Sequence, residues 1–271
     1  MVDFSLLHKK ARHDIRVCLQ VWSELLRESL GERLKYAYAK GSAVKTWDSA
    51  IDYVPVVSDV DIHVYLSDDA GLFAGYDDAF KRSMELSSLF ERAFYQREPD
   101  PLHLPRTQIV LLNDALKQKG FTMPRLSDVQ PIVGNPVFPS QPSPETTRHY
   151  DLLNLRELGE YLDAVPLKTV DRAGFDFWSL IRTMIWRVSP TPVRLLTQRH
   201  EDPMEVWSWN RTRIAEELKT HGHNILEGRY RGFYEAGWRL FILGFTSSED
   251  FRGMVYNGYY LLRGCRDAVG N

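Results

Sequence analysis

Apolar and polar positions along the chain fall into two distinct periods. Leu7, Ala11, Ile15, Cys18, Trp22 and Leu25 recur at steps of three and four, which predicts an amphipathic helix over about residues 5–30 that stops near Gly31. The pattern then tightens to a period of two. KYAYA (35–39) reads as a strand running into Gly41-Ser42, DVDIHVYL (59–66) as a second strand with clear alternation, and TQIVLL (107–112) as a third, with a helix over about 72–97 between the last two. After about residue 145 the period returns to 3.6 in DLLNLRELGEYLDAV, FDFWSLIRTMIWRV, PMEVWSWNRTRIAEELKTHG and YRGFYEAGWRLFILGF, and 247–266 continues as helix.

Between these regions Pro131, Pro136, Pro139, Pro142 and Pro144 remove backbone donors and forbid a regular helix. The expected organisation is an α+β protein. An N-terminal α/β domain with a small mixed sheet occupies 1–130, a proline-rich linker 131–146, and a C-terminal α-helical bundle 147–271.

Composition narrows the function classes. With 271 residues, 44% of them hydrophobic, the chain has material for a substantial core. A formal net charge of −2 gives no basic field for a long polyanion, so nucleic acid is an unlikely partner. Cys18 and Cys265 have no CxxC partners and offer neither a disulfide framework nor a thiolate zinc site. No segment reads as a membrane span, and a reducing, cytoplasmic setting is the expectation. Beyond residue 145 positive charge is carried by arginine except at Lys168 and Lys219, and the planar guanidinium suits carboxylates and phosphates.

The chemistry concentrates in the second strand. Alternation puts Asp59, Asp61, His63 and Tyr65 on one face and Val60, Ile62, Val64 and Leu66 on the other. At ordinary strand rise the Asp59 and Asp61 Cα atoms stand roughly 6–7 Å apart, so both carboxylates reach one cation or a pair of them. Mg²⁺ relieves their repulsion and completes its shell with water and phosphate oxygens. The Gly41-Ser42 turn lets a phosphate approach the backbone and offers a hydroxyl and N–H donors.

Gly41 and Ser42 followed by Ser58, Asp59 and Asp61 in an apolar strand resemble the signature of the nucleotidyltransferase superfamily typified by DNA polymerase β, over roughly residues 30–115. The succession of an α/β and a helical domain is similar to that of the aminoglycoside nucleotidyltransferases and other small bacterial members. The resemblance implies Mg²⁺-dependent transfer of a nucleoside monophosphate from an NTP, ATP first among them, to a hydroxyl acceptor, with release of pyrophosphate. It implies two Mg²⁺ ions on Asp59 and Asp61, and a triphosphate tail on Gly41, Ser42 and Ser58, with Lys40 and Lys45 as weaker contacts.

Two features depart from that pattern. An aromatic insertion, VKTWDSAIDYVP, lengthens the loop between turn and strand; Trp47 and Tyr53 either plug the domain edge or stack on a base. Gln108 falls where many members carry a third carboxylate, and a glutamine orients a hydroxyl without taking its proton. Glu157, Glu160 and Asp114 are the other candidates for that step. Two alternatives remain: a degenerate member that binds nucleotide or protein without chemistry, and transfer to a tRNA or protein acceptor.

Among the remaining residues, Arg182, Arg187, Arg211 and Arg213 are candidates for an anion. Arg194 and His200 lie about 120° apart around a helix axis and so do not share a face. His221 and His223 flank a glycine that reads as a helix end.

Overall fold

The computed structural model describes residues 4–138 and 141–270. Pro139 and Ser140 of the expected linker, and residues 1–3 and 271 at the ends of the two expected domains, lie outside the described residues. An N-terminal α/β region with a small mixed sheet is followed by a C-terminal α-helical bundle. The chain divides into two compact units. The first takes the chain up to Lys45 and again from Ser58 into the proline-rich stretch, and the second takes Thr46–Val57 and everything from Gln141 on.

In the first unit, α1 (Phe4–Leu30) ends at Gly31, whose φ of +53° suits a residue without a Cβ. Next come β1 (Leu34–Lys40), β2 (Val60–Leu66), α2 (Ala79–Arg97), β3 (Thr107–Leu111), the short α3 (Leu112–Ala115) and β4 (Gln130–Val133). The sheet order is β3-β2-β1-β4, with β2 and β3 parallel and the other neighbours antiparallel.

Two expectations change here. The helix expected from residue 72 starts at Ala79, because Gly71 and Gly75 turn the chain at φ +89° and +86°, and Asp78 caps the first turn by accepting from the Lys81 N–H at 2.9 Å. The proline-rich stretch begins with an edge strand, where a proline is tolerated because its missing N–H costs no ladder bond on the open side.

One face of the sheet is lined by Val60, Ile62, Val64 and Leu66 with the small Ala37 and Ala39, and α1 packs on β1 and β4 and against α2, where Trp22 stacks on Phe90 at 4.9 Å. On the opposite face Tyr36, Tyr38, Leu112, Ala115 and Met123 form a second cluster, joined by Tyr65, Phe121 and Phe138.

The second unit holds α4 (Pro144–Arg156), α5 (Leu158–Val170), α6 (Phe177–Val188), α7 (Thr191–Thr197), α8 (Pro203–Ser208), α9 (Arg211–Thr220), α10 (Asn224–Ile242) and α11 (Ser248–Asp267). Helix α11 is central, touching α4, α5, α6, α7 and α10. Gly258 allows this: a Cβ there would collide with Met184 Sδ and stand 3.1 Å from Phe233.

The insertion 46–57 is part of this unit. Asp52, 1% exposed, accepts from the Asp48 and Ser49 N–H groups at 2.7 and 2.9 Å and from the Thr212 N–H and hydroxyl at 2.8 and 2.7 Å. Arg211 donates to the Ile51 carbonyl at 3.0 Å, Asn210 to Asp48 at 2.6 Å, and the Trp238 indole to the Ala50 carbonyl at 2.6 Å. Among the described residues no helix is long and apolar enough to cross a membrane.

Candidate active site

β1 delivers Lys40 to the turn that follows it. Gly41 adopts φ +82°, and a Cβ at this position would stand 3.0 Å from Asp61 Oδ2, so glycine is required twice over: for the left-handed backbone and for the carboxylate beside it. The Gly41 carbonyl accepts from the Val44 and Lys45 N–H groups at 3.2 and 3.3 Å, which curls 41–45 into a tight turn. Arg12 of α1 fixes that turn from the side, donating to the Ala43 carbonyl at 3.1 Å and to the Lys45 carbonyl. Ser42 and Lys45 are partly exposed, whereas Ser58 is fully buried.

Register then assembles the rest. Lys40 pairs with Asp61 across β1 and β2, and Gln108 pairs with Asp61 across β2 and β3, so Asp61 has an ammonium on one side and an amide on the other. Asp59, one residue before β2, is bonded by Arg106 at 3.1 Å; both side chains are about four-fifths buried. Arg106 is absent from the sequence reading, yet the signal was there. The parallel register that puts Gln108 beside Asp61 also puts the residue before β3 beside the residue before β2.

Electrostatics follow from this crowding. Burial, and then the negative charge of Asp59, push the Asp61 carboxyl up to about 7, against the opposing pull of Lys40 and Arg106. Burial also lowers the Lys40 ammonium from its usual range, with Asp61 opposing. Next along the same strand face, His63 is 2% exposed and stacked on Tyr38 at 5.1 Å, and burial followed by the charge of Lys40 takes it down to about 3. His63 Nδ1 and the Tyr38 hydroxyl are buried without hydrogen-bond partners. The face expected to be a site along its whole length runs into aromatic core at His63 and Tyr65, which leaves its Asp59–Asp61 end as the candidate.

The donor set fits a hard divalent cation in a limited way. Two carboxylates and the Gln108 amide oxygen suffice for one Mg²⁺, which commonly takes one or two carboxylates and fills its shell with water and phosphate. Burial chiefly raises the Asp61 carboxyl and the neighbouring Asp59 charge adds to it, and a cation between the two carboxylates would remove that repulsion. Among the described residues no group of three or more His, Cys, Asp or Glu is arranged to hold a metal, so a second ion would draw its ligands chiefly from phosphate oxygens and water. Arg106 competes with any cation for Asp59.

The other candidates are distributed elsewhere. Asp114 lies past the end of β3 in α3, exposed and 3.5 Å from the Lys117 ammonium. Glu157 and Glu160 are exposed where α4 meets α5 in the helical unit. Tyr53 is fully buried and stacked on Trp47 at 4.7 Å.

Arg211 is buried, 4.0 Å over the Tyr234 ring, and used in holding 46–57. Arg187 lies 4.0 Å over Tyr161, and Arg213 pairs with Glu217 at 2.6 Å. Arg194 faces the buried Asp151 at 3.7 Å, while the His200 ring meets the Asp202 carbonyl. His221 lies 3.7 Å from Glu217, and His223 precedes α10. Comparison of the chain with protein-family models, with curated proteins and with solved structures gives no match.

Proposed function

We propose that the first unit carries a nucleotidyltransferase site, which moves a nucleoside monophosphate from an NTP such as ATP to a hydroxyl of a small acceptor. The observation that carries this reading is the approach of the Gly41 turn to Asp61, at 3.0 Å from where a Cβ would stand, with Asp59 one step along the strand and Gln108 alongside. A phosphate-admitting turn and a carboxylate pair on adjacent strands form a compact arrangement for a metal-bound triphosphate.

In this reading Asp59 and Asp61 hold Mg²⁺, which when bound neutralises charge on the triphosphate. The Gly41-Ser42 backbone receives the phosphate tail, with Lys40 adding positive charge beside it. Gln108 orients the acceptor hydroxyl. The acceptor oxygen bonds to the α-phosphorus, the bond from that phosphorus to the bridging oxygen breaks, pyrophosphate leaves, and the hydroxyl proton passes to solvent, because the Gln108 amide does not take it.

The test is Mg²⁺-dependent pyrophosphate release across a panel of NTPs and hydroxylated acceptors. Asp59→Asn and Asp61→Asn are each expected to lower it by roughly 10² or more. Full activity in either variant would overturn the assignment.

A second reading, nucleotide binding without transfer, is favoured by the Arg106–Asp59 ion pair and by the amide at position 108. Calorimetric binding of Mg-ATP with no pyrophosphate from any acceptor would select it.

A further inference from the structure

Within the helical unit, α5, α6 and α11 line an open cavity of about 560 Å³, inside the size range of small-molecule sites. Its floor is apolar, made by the buried Val165, Phe177 and Val255, its rim carries the exposed Pro166 and Val170, and its wall carries Tyr256, Tyr259 and Tyr260. Among the described residues no acidic side chain lines it.

Among the described residues the two arginines that line this cavity have no acidic partner. Arg172 lies in the link between α5 and α6, and its Nε is buried with no hydrogen-bond partner, a costly state for a guanidinium. Arg252 is exposed, lies 5.5 Å over the Phe177 ring, and makes only a 3.4 Å contact with the Ser248 carbonyl of its own helix. Neither arginine is ion-paired among the described residues. Arg229 adds a third positive group, 4.7 Å over Tyr256. The three tyrosine hydroxyls make no hydrogen bond within the described residues and remain able to donate.

We infer that this cavity is a binding site for an amphiphilic organic anion: a flat apolar body of about two or three rings, seated on the valines and tyrosines, with one carboxylate or sulfonate on Arg172 and Arg252. A second copy of the chain is the poorer occupant, because a self-complementary contact here would oppose arginine to arginine.

The full chain is titrated with 1-anilinonaphthalene-8-sulfonate and, separately, with the neutral N-phenyl-1-naphthylamine, by fluorescence and calorimetry, with circular dichroism to verify folding. One saturable site is expected. Arg252→Gln, at an exposed position, weakens the sulfonate by roughly tenfold and the neutral dye less than about twofold, the loss expected for one charge-assisted contact. Arg172→Gln has the same effect if it folds. Val170→Trp, which fills the cavity from an exposed position, abolishes binding of both dyes. No saturable site, equal affinity for the two dyes, an Arg252→Gln titration matching that of the native chain, or dye binding undisturbed by Val170→Trp would each overturn the assignment.

Discussion

Asp61 and His63 are two residues apart on one strand face, and burial moves them in opposite directions: the acid up to about 7, the imidazole down to about 3. The unfolded chain holds both near their ordinary values, about 3.9 and 6.5. Between about pH 4 and 7 the folded chain therefore carries more proton on Asp61 than the unfolded chain does, and stability falls as pH rises. Between about pH 3 and 6.5 it carries less proton on His63, and stability is lost as pH falls. The two slopes oppose each other over roughly pH 4–6.5, so in the native chain they partly cancel there. Asp61→Asn leaves the His63 slope alone, so stability rises with pH by up to about 1.4 kcal/mol per unit. His63→Leu leaves the acid slope, with the opposite sign. Urea titrations at half-unit steps of pH, in chelator, read both. A flat profile in both variants would mean that neither group is perturbed.

The segment 46–57 is where an element gains its conformation from residues far away in sequence. Thr212 bonds Asp52 across 160 positions, and Trp238 bonds Ala50 across 188. Asp52 serves four donors with two oxygens, so Asp52→Asn turns an NH₂ group toward donors whichever way the amide lies. At about 1.5–3 kcal/mol for each bond to a charged group, a loss of about 3 kcal/mol is expected. It is to be read as a lower urea midpoint of the helical unit and faster amide exchange over 46–57; a loss below about 1 kcal/mol would show that the network is not what holds the segment.

Such long-range bonds also separate what the sequence makes legible from what it hides. β1, β2 and β3 were readable because alternation is a local property, and Gln108, picked out by aligning that alternation with the resembled family's strand, pairs with Asp61. β4 was not, since Gln130–Val133 contains a proline and has only Val133 buried. The Arg106 contact to Asp59 and the Arg12 contacts to the turn needed tertiary placement, and the allegiance of 46–57 lies in Asn210, Arg211 and Thr212, which no period along the chain connects to it.

At the scale of the whole molecule the chain carries two cores, and tryptophan marks them unequally. Trp22 belongs to the first unit; the other six of the chain's seven tryptophans, Trp47 among them, belong to the second. Gly258 sits on α11 where that helix meets Met184 of α6 and Phe233 of α10. Gly258→Ala inserts a methyl group with nowhere to go, and overpacking of this kind costs about 1–3 kcal/mol, more than the helix propensity of alanine returns. Because the lesion lies wholly within one core, its effect should be partitioned. In fluorotryptophan-labelled chain, with the Trp22 resonance assigned through Trp22→Phe, Gly258→Ala is expected to shift the six other resonances to a lower urea midpoint and to leave that of Trp22 in place. If Trp22 moves with them by the same amount, the two units unfold as one cooperative body, and the division of the chain into separately stabilised cores is wrong.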